Sequence, residues 1–527
     1  LRIGIACAGT RLLPWQLKCV QELMAVPGVA IAVILEVPEP RPEGRTPALY
    51  RWWLGRASRS GPLVAQDASA MLAKHPRMTL AGTNLQELLW KHPMDVLLQL
   101  SGADLSLAEA GAIPFGIWRF MHCGRGSTSN PIPGVWEILK DEPMTSASLQ
   151  ASSTAPERCG VLREGFFKTL GHSVLKTAET VLDRSALWPA QVCRAILSGD
   201  HAVAAGTAGA HIAAEGDTPS NSVVLQLLWK EFSNARDHQR SKTESEEWNI
   251  GVLPHPVRSL LDESPNLNVR WLPPPAIGQS RATPFGWMRE ENLNVLYEKS
   301  QQETGESVIA RLRPKRDNNL KRSRTVLEAA GHLSYPFIQE KDGQVHAIPE
   351  QVQSGKVDLY LLDEEGTNLT FVRTLLEQAL CSPTLFQYEG RWWLFGTDAS
   401  LPDTVLLAFY ADHFEGPYTP HLLNPIKMDI RSARPGGTPF EQDGGLCRPA
   451  RDGSTPSGGI TFNRIITLTP ERFAEETVKH MDPVPGRWSH GIHTLSAVGE
   501  ITLVDGMRKL TDKSQREKDR KKKHNAS

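Results

Sequence analysis

Four stretches decide the fold: TPFGWMREENLNVLYEK (283–299), YPFIQEKDGQVHAIPEQ (335–351), SPTLFQYEGRWWLFGTD (382–398) and TPFEQDGGLCRPARD (438–452). Each carries a Pro or Phe anchor, then a turn with Gly or Asn, then a strand ending on a polar residue. Pro284, Pro336 and Pro383 lie 52 and 47 residues apart, and Gly390 and Gly444 are separated by 54. That period suits one four-stranded blade of a β-propeller, because a blade cannot bury both of its faces without a neighbour on each side. HTLSAVGEITLVDGM (493–507) is a weaker fifth copy, so five blades are predicted over 246–508. Between anchors, KVDLYLLDEE (356–365), VLLAFYADHFEGPY (405–418) and GITFNRIITLTPE (459–471) alternate apolar and polar positions as half-buried strands do.

Upstream the pattern differs. RIGIA (2–6), VAIAVILE (29–36) and DVLLQL (95–100) are apolar runs of strand length. Helix-like stretches, Trp15 to Met24 and Asn84 to Lys91, lie between them, which predicts a parallel sheet with covering helices. The Pro-, Gly- and Arg-rich segment 38–62 reads as a long loop. From 166 to 238 the period is helical, with Val174, Ala178, Val181 and Leu182 on one face and Val224, Leu225, Leu228 and Phe232 on another. The expected organisation is an α/β domain (1–165), a helical connector (166–245), the propeller (246–508) and a basic, disordered tail (509–527).

Composition excludes several classes. With 40% hydrophobic and 22% charged residues the chain is globular, and no run approaches the roughly 18 apolar residues of a membrane span. The opening LRIGIACAGT reads as a buried strand and lacks a signal peptide's apolar stretch. Lys plus Arg number 58 against 59 Asp plus Glu, without the basic excess that drives nucleic-acid binding. Seven scattered cysteines with no CxxC spacing indicate neither a disulfide framework nor a zinc site, and a reducing cytoplasm is expected. No GxGxxG or P-loop element follows the first strand. Fourteen Trp against seven Tyr suit propeller packing and sugar stacking alike.

Glu298 and Glu350 each lie fourteen residues after their anchor prolines, and so at equivalent places in adjacent blades. Two converging carboxylates are the raw material of glycoside hydrolysis; strand-end carboxylates bonded to neighbouring backbone give the same pattern. His421, Asp429, Arg431, Arg434, Asp443, Arg448 and Arg451 crowd the fourth blade. Forked guanidiniums among carboxylates hold polyhydroxylated or anionic ligands, or make a surface salt-bridge network. His490 and His493 stand near the fifth blade.

HLLNPIKMDIRSARPGG (421–437), FEQDGGLCRPARD (440–452), GIHTL (491–495) and VDGM (504–507) resemble the propeller at the N-terminal side of plant glucosamine inositolphosphorylceramide transferases. Bacterial proteins of that type carry a formyltransferase-like domain ahead of it. The propeller is similar to those of arabinanase- and invertase-type glycoside hydrolases, and the resemblance implies a carbohydrate-related role. It also implies Asp at the positions of Thr283 and Ser382, so hydrolytic chemistry is put in doubt, while Glu350 in its IPE motif matches.

Residues 1–165 resemble the catalytic domain of methionyl-tRNA and sugar-nucleotide formyltransferases, on DVLLQLSG (95–102) and FGIWRFMHCGRGSTSNPIPGVWEILKDEPMTSASLQ (115–150). That fold uses an Asn, a His and an Asp. His122 takes the histidine position, Phe120 stands where the asparagine belongs, and Glu157 falls near the aspartate. A phenyl ring donates no hydrogen bond to an oxyanion, a loss of about 100- to 1000-fold in rate. The resemblance therefore disfavours 10-formyltetrahydrofolate, and no cofactor is predicted. His122 is left as a general base for another acyl or glycosyl transfer, with Arg125 and Ser127 as ligand contacts.

The sequence thus predicts a carbohydrate-directed, transferase-like protein of glycoconjugate or specialised-metabolite biosynthesis, its propeller funnel binding a sugar or sugar nucleotide. Catalytic candidates are His122, Glu157 and Glu350. Substrate-binding candidates are Glu298, His421, Asp429, Arg431, Arg434, Asp443, Arg448 and His493, with no metal. The alternatives are a non-catalytic carbohydrate-binding or scaffold protein and an active formyltransferase on an amino sugar.

Overall fold

The computed structural model describes the chain outside residues 38–46, 60, 80–84, 101–112, 123–131, 153–158, 202, 204–218, 242–244, 315–322, 456 and 511–527. Glu157, Arg125, Ser127 and the basic tail therefore lie outside the described residues. The chain divides into two compact units, Leu1–Gln239 and Arg240–Ser527.

The first unit is built on a seven-stranded sheet in the order Arg77–Thr79, Ala30–Glu36, Arg2–Cys7, Val96–Gln99, Ile117–Met121, Met144–Ser152, Gly160–Lys168. The first five strands pair in parallel, as the apolar runs predicted, and the last two add an antiparallel hairpin. Helix Pro14–Met24 buries Trp15, Cys19, Val20 and Leu23, one stripe at helical spacing. Helix Val174–Ser185 buries the expected Val174, Ala178, Val181 and Leu182, and its N-cap Ser173 accepts the Lys176 N–H. The long helix Asn221–Ser241 corrects the expected face, burying Val224 and Leu227 while Leu225 and Phe232 are 58% and 64% exposed. Polar anchors set that rotation: Glu231 accepts the Val174 N–H at 2.7 Å, and Lys230 donates to the Leu139 carbonyl at 2.8 Å.

The second unit is a five-bladed β-propeller. Blade 1 comprises Gln279–Arg289, Asn292–Gln301, Ser307–Leu312 and Arg324–Leu327; blade 2, Ser334–Lys341, Gln344–Glu350, Val357–Leu362 and Leu369–Leu376. Blade 3 comprises Leu380–Tyr388, Arg391–Asp398, Val405–Ala411 and Thr419–Pro420; blade 4, Phe440–Gln442, Gly445–Arg451, Ile460–Leu468 and Phe473–Met481. Blade 5 is composite. Leu495–Val498 and Ile501–Leu510 pair onward to Ser245–Leu253 and Arg270–Trp271, so the start and end of the unit close the ring in one sheet. The fifth sequence copy looked weak because it holds only half of its blade.

Three inner strands share a distortion that positions the site. Thr283, Tyr335 and Ser382, each directly before a proline, have φ of 49°, 43° and 50°. At each the pairing slips: between Ala282 and Phe285, Ser334 and Phe337, Cys381 and Thr384. Left-handed backbone at non-glycine residues costs about 1–3 kcal/mol and persists where the surroundings impose it. No helix among the described residues is long and apolar enough to cross a membrane. The six described cysteines are free thiols.

Candidate functional site

The fifty-residue step places one residue per blade on the second strand. Glu298 pairs opposite Ala282, Glu350 opposite Ser334, and Thr397 opposite Cys381. Arg451 donates its backbone N–H to the Arg434 carbonyl at 2.8 Å, and Asp505 accepts the Thr494 N–H at 3.0 Å. The five numbers advance by 52, 47, 54 and 54. Glu298 and Glu350 thus sit on second strands beside the first strands and line the channel.

The strained residues explain what these acids do. Asp505 reaches from blade 5 to accept the Thr283 N–H at 2.9 Å, and also takes the His493 N–H at 2.7 Å. Glu350 reaches from blade 2 to accept the Ser382 N–H at 2.7 Å. At the intervening junction the Tyr335 N–H goes instead to the Thr283 hydroxyl, at 3.1 Å. Glu298 is left without a hydrogen-bond donor among the described residues; the nearest ionisable side chain is His332, whose Nε2 is 3.7 Å away. Burial, then the fields of Glu350 and Asp505, raise the Glu298 carboxyl to about 8, so it carries its proton at neutral pH.

Glu350 has the opposite surroundings. Arg434 donates to it at 3.1 Å, to Asp403 at 3.3 Å and to the Ser382 hydroxyl at 2.9 Å. Burial works against the Arg434 charge, but the two carboxylates outweigh it and hold the guanidinium above its ordinary range. Tyr335 crosses beneath, its hydroxyl 3.0 Å from Thr384 Oγ1 and accepting the Gly437 N–H at 3.0 Å. Only glycine fits at 437: φ is 145°, and a Cβ would stand 1.8 Å from the Leu495 carbonyl oxygen. His493 packs on Trp248 with ring centroids 3.9 Å apart. Burial, with Arg451 and Arg434 adding to it, keeps that imidazole neutral, well below its ordinary range. Glu298, Tyr335, Glu350, Arg434, Arg451 and His493 are among the residues that line an axial cavity of about 200 Å³.

Of the substrate-binding candidates, Glu298, Arg434 and His493 line this cavity with the catalytic candidate Glu350; five others do not. His421 is buried, its Nδ1 accepting the Leu423 N–H at 3.0 Å, beside the Trp393 ring. Asp429 and Arg431 pair with each other at 2.8 Å. Asp443 is exposed at a hairpin turn with φ 52°. Arg448 forks onto Glu475 at 2.7 and 2.6 Å and onto the Ser432 carbonyl at 2.6 Å. Burial opposes the Glu475 charge, yet Arg448 and Lys427 overcome it and hold that carboxyl at about 2. Strand alternation is the reason: Arg448 and Arg451 are an odd number of residues apart, so they face opposite sides of one strand. Clustering along the chain did not distinguish them. Asp505, Tyr335, Trp248 and His332 were missed, although extending the fifty-residue step from Glu350 would have reached Asp505.

In the first unit His122 follows strand Ile117–Met121. Its Nε2 is 3.0 Å from Ser185 Oγ, and its ring packs edge-on to Trp15 at 4.8 Å and against Phe120 at 5.2 Å. Burial lowers it to about 3, so it is a neutral imidazole.

A larger groove of about 1450 Å³, lined by residues including Val252, Met288, Glu290, Leu293 and Arg313, lies at the hairpin end of blade 1. That is the far end of the strands from Glu298, and Glu290 and Glu291 there are exposed. The axial cavity draws ionisable groups, most of them partly or fully buried, from four blades and is the stronger candidate.

Among solved structures, a family 117 glycoside hydrolase from Zobellia galactanivorans aligns at 12% identity and TM-score 0.31, covering 44% of this chain and 85% of that one. An α-L-arabinanase from Cellvibrio cellulosa aligns at 16% identity and TM-score 0.29, covering 37% and 77%. Glucosamine inositolphosphorylceramide transferase 1 of Oryza sativa subsp. japonica is 30% identical over 199 residues, 34% of this chain and 27% of that protein. Its Arabidopsis thaliana counterpart is 31% identical over 159 residues, 29% of this chain and 21% of the relative. The chain thus spans under a third of these relatives' length. Residues 277–488 match the family model described as glucosamine inositolphosphorylceramide transferase 1, N-terminal, a stretch that carries Glu298, Glu350, Arg434 and Arg451.

Proposed function

We propose that the axial cavity of the propeller binds a sugar and that the chain serves a carbohydrate-directed transferase system of glycoconjugate biosynthesis. The observation that carries this is the convergence of a neutral acid (Glu298), a clamped carboxylate (Glu350) and a fixed guanidinium (Arg434) on one cavity. A protonated carboxyl donates and accepts, a carboxylate only accepts, and a guanidinium only donates, which is the mixture that sugar hydroxyls require. The names of the plant relatives supply the glycoconjugate context. At about 200 Å³ the cavity is smaller than the roughly 300–1,000 Å³ of drug-sized ligand sites, which favours one sugar residue over a whole sugar nucleotide.

Glu350 serves as a positioning group. A nucleophile or base needs free lone pairs aimed at substrate, whereas Glu350 spends its oxygens on the Ser382 N–H and Arg434. This favours binding over cleavage and keeps the carbohydrate-binding scaffold as the second reading. For the first unit, Phe120 offers no donor and His122 is packed between aromatic rings with its Nε2 on Ser185. These two residues do not fit formyl transfer from 10-formyltetrahydrofolate.

Isothermal calorimetry of the full chain against glucose, glucosamine and mannose tests the reading. At least one should bind, and Arg434→Met should weaken it about tenfold or more, as expected for a lost charge-assisted hydrogen bond. Absence of binding by every sugar, or affinity unchanged in the variant, would overturn it.

A further inference from the structure

The five second-strand positions are not chemically alike. Blades 1, 2 and 5 present Glu298, Glu350 and Asp505, blade 3 presents Thr397, and blade 4 reverses the sign with Arg451. Arg434, the neighbouring cation, is matched by carboxylates on two sides. Arg451 is not: among the described residues its guanidinium makes no hydrogen bond and no ion pair. The acids that act on it through space are already engaged, Asp403 and Glu350 by Arg434 and Asp505 by the backbone N–H groups of Thr283, His493 and Thr494. Burial, with Arg434 adding to it, lowers the Arg451 guanidinium to about 10, still charged at neutral pH. The other titratable groups on the cavity wall, His332, His493, Tyr335 and Glu298, are uncharged at neutral pH and bring it no compensating charge.

A guanidinium taken partly out of water without a partner is costly, and it presents a fork of N–H donors matched to a planar or tetrahedral oxyanion. Resting on the sugar-binding reading above, we infer that Arg451 forms an anion subsite, so that the cavity selects a sugar bearing a carboxylate or phosphate over its neutral counterpart. The sugar ring then lies between Glu298 and the Glu350–Arg434 pair, with its acidic substituent on Arg451.

The test is calorimetry on the full chain with glucose, glucuronic acid, glucose 1-phosphate and inorganic phosphate, for the wild type and for Arg451→Gln and Arg451→Lys. The wild type should bind one or both acidic sugars about tenfold more tightly than glucose, the scale of one charge-assisted contact. Whichever of glucuronic acid and glucose 1-phosphate gains more identifies the anion. Arg451→Gln should erase the preference for the acidic sugars over glucose, with Arg451→Lys intermediate because it keeps charge but loses the fork. Added salt should weaken acidic ligands only, a check on the wild type that does not depend on a variant folding. Equal binding of glucose and the acidic sugars overturns this inference and leaves the sugar site standing. Inorganic phosphate binding with no sugar bound overturns the sugar reading and leaves the subsite; silence from all four ligands overturns both.

Discussion

Glu298 and Glu350 occupy the same place in adjacent blades and have become different chemical objects. Both sit on the second strand opposite the residue before a strained X-Pro step. Glu350 finds the N–H of the next blade's bulge and a guanidinium, and is locked. Glu298 finds that N–H already taken by the Thr283 hydroxyl, and stays largely out of water with its proton. A single hydroxyl at 283 therefore decides whether the neighbouring acid is structural or available. Repeat symmetry places the groups, and one local substitution assigns their roles.

The largest effect should come from breaking the locked member. Glu350→Ala strands the Ser382 N–H and leaves Arg434 with Asp403 as its one carboxylate partner, costing about 3–5 kcal/mol as for other broken buried ion pairs. Denaturant unfolding of the full chain, followed at the propeller transition, reads it. Tyr335→Phe orphans the buried Gly437 N–H below the cavity and should cost about 1–3 kcal/mol by the same measurement.

Glu298→Gln sharpens the contrast through pH. The Glu298 carboxyl is raised in the folded state from its ordinary 4.5 to about 8, so the folded protein holds more protons than the unfolded chain in that window. Its contribution to stability is complete below about 4.5 and is lost as pH rises through 8. The wild type should lose stability across that range relative to Glu298→Gln, and the two should be nearly equal at the acid end. A parallel pH dependence of the two proteins would contradict the assignment. His122 runs the other way: lowered from 6.5 to about 3, it destabilises the first unit as pH falls through that interval, and His122→Gln should flatten the decline. Smallest of all, Asp443→Asn on its exposed turn should alter stability by under about 0.5 kcal/mol and leave sugar affinity untouched.

The propeller was legible because its inner-strand anchors recur as short motifs at nearly constant spacing. The parallel sheet was legible because runs such as RIGIA are apolar on both faces. Blade 5 was half hidden, since Ser245–Leu253 pairs with a strand some 250 residues later and no local pattern announces that partner. In the site, equal spacing found Glu298 and Glu350, whereas density of charge did not separate Arg434, which faces the axis, from Arg448, which faces Glu475. Helix Asn221–Ser241 was misread because its apolar residues exceed one stripe, and polar anchors at Glu231 and Lys230 choose which are buried.

The most direct test of the axial site is a crystal structure of the full chain soaked with a sugar that calorimetry shows to bind. The sugar should occupy the axial cavity, with hydroxyls within hydrogen-bond distance of Glu298 and Arg434. A sugar seated instead in the open groove beside Met288 and Arg313, with the axial cavity holding only water, would contradict it.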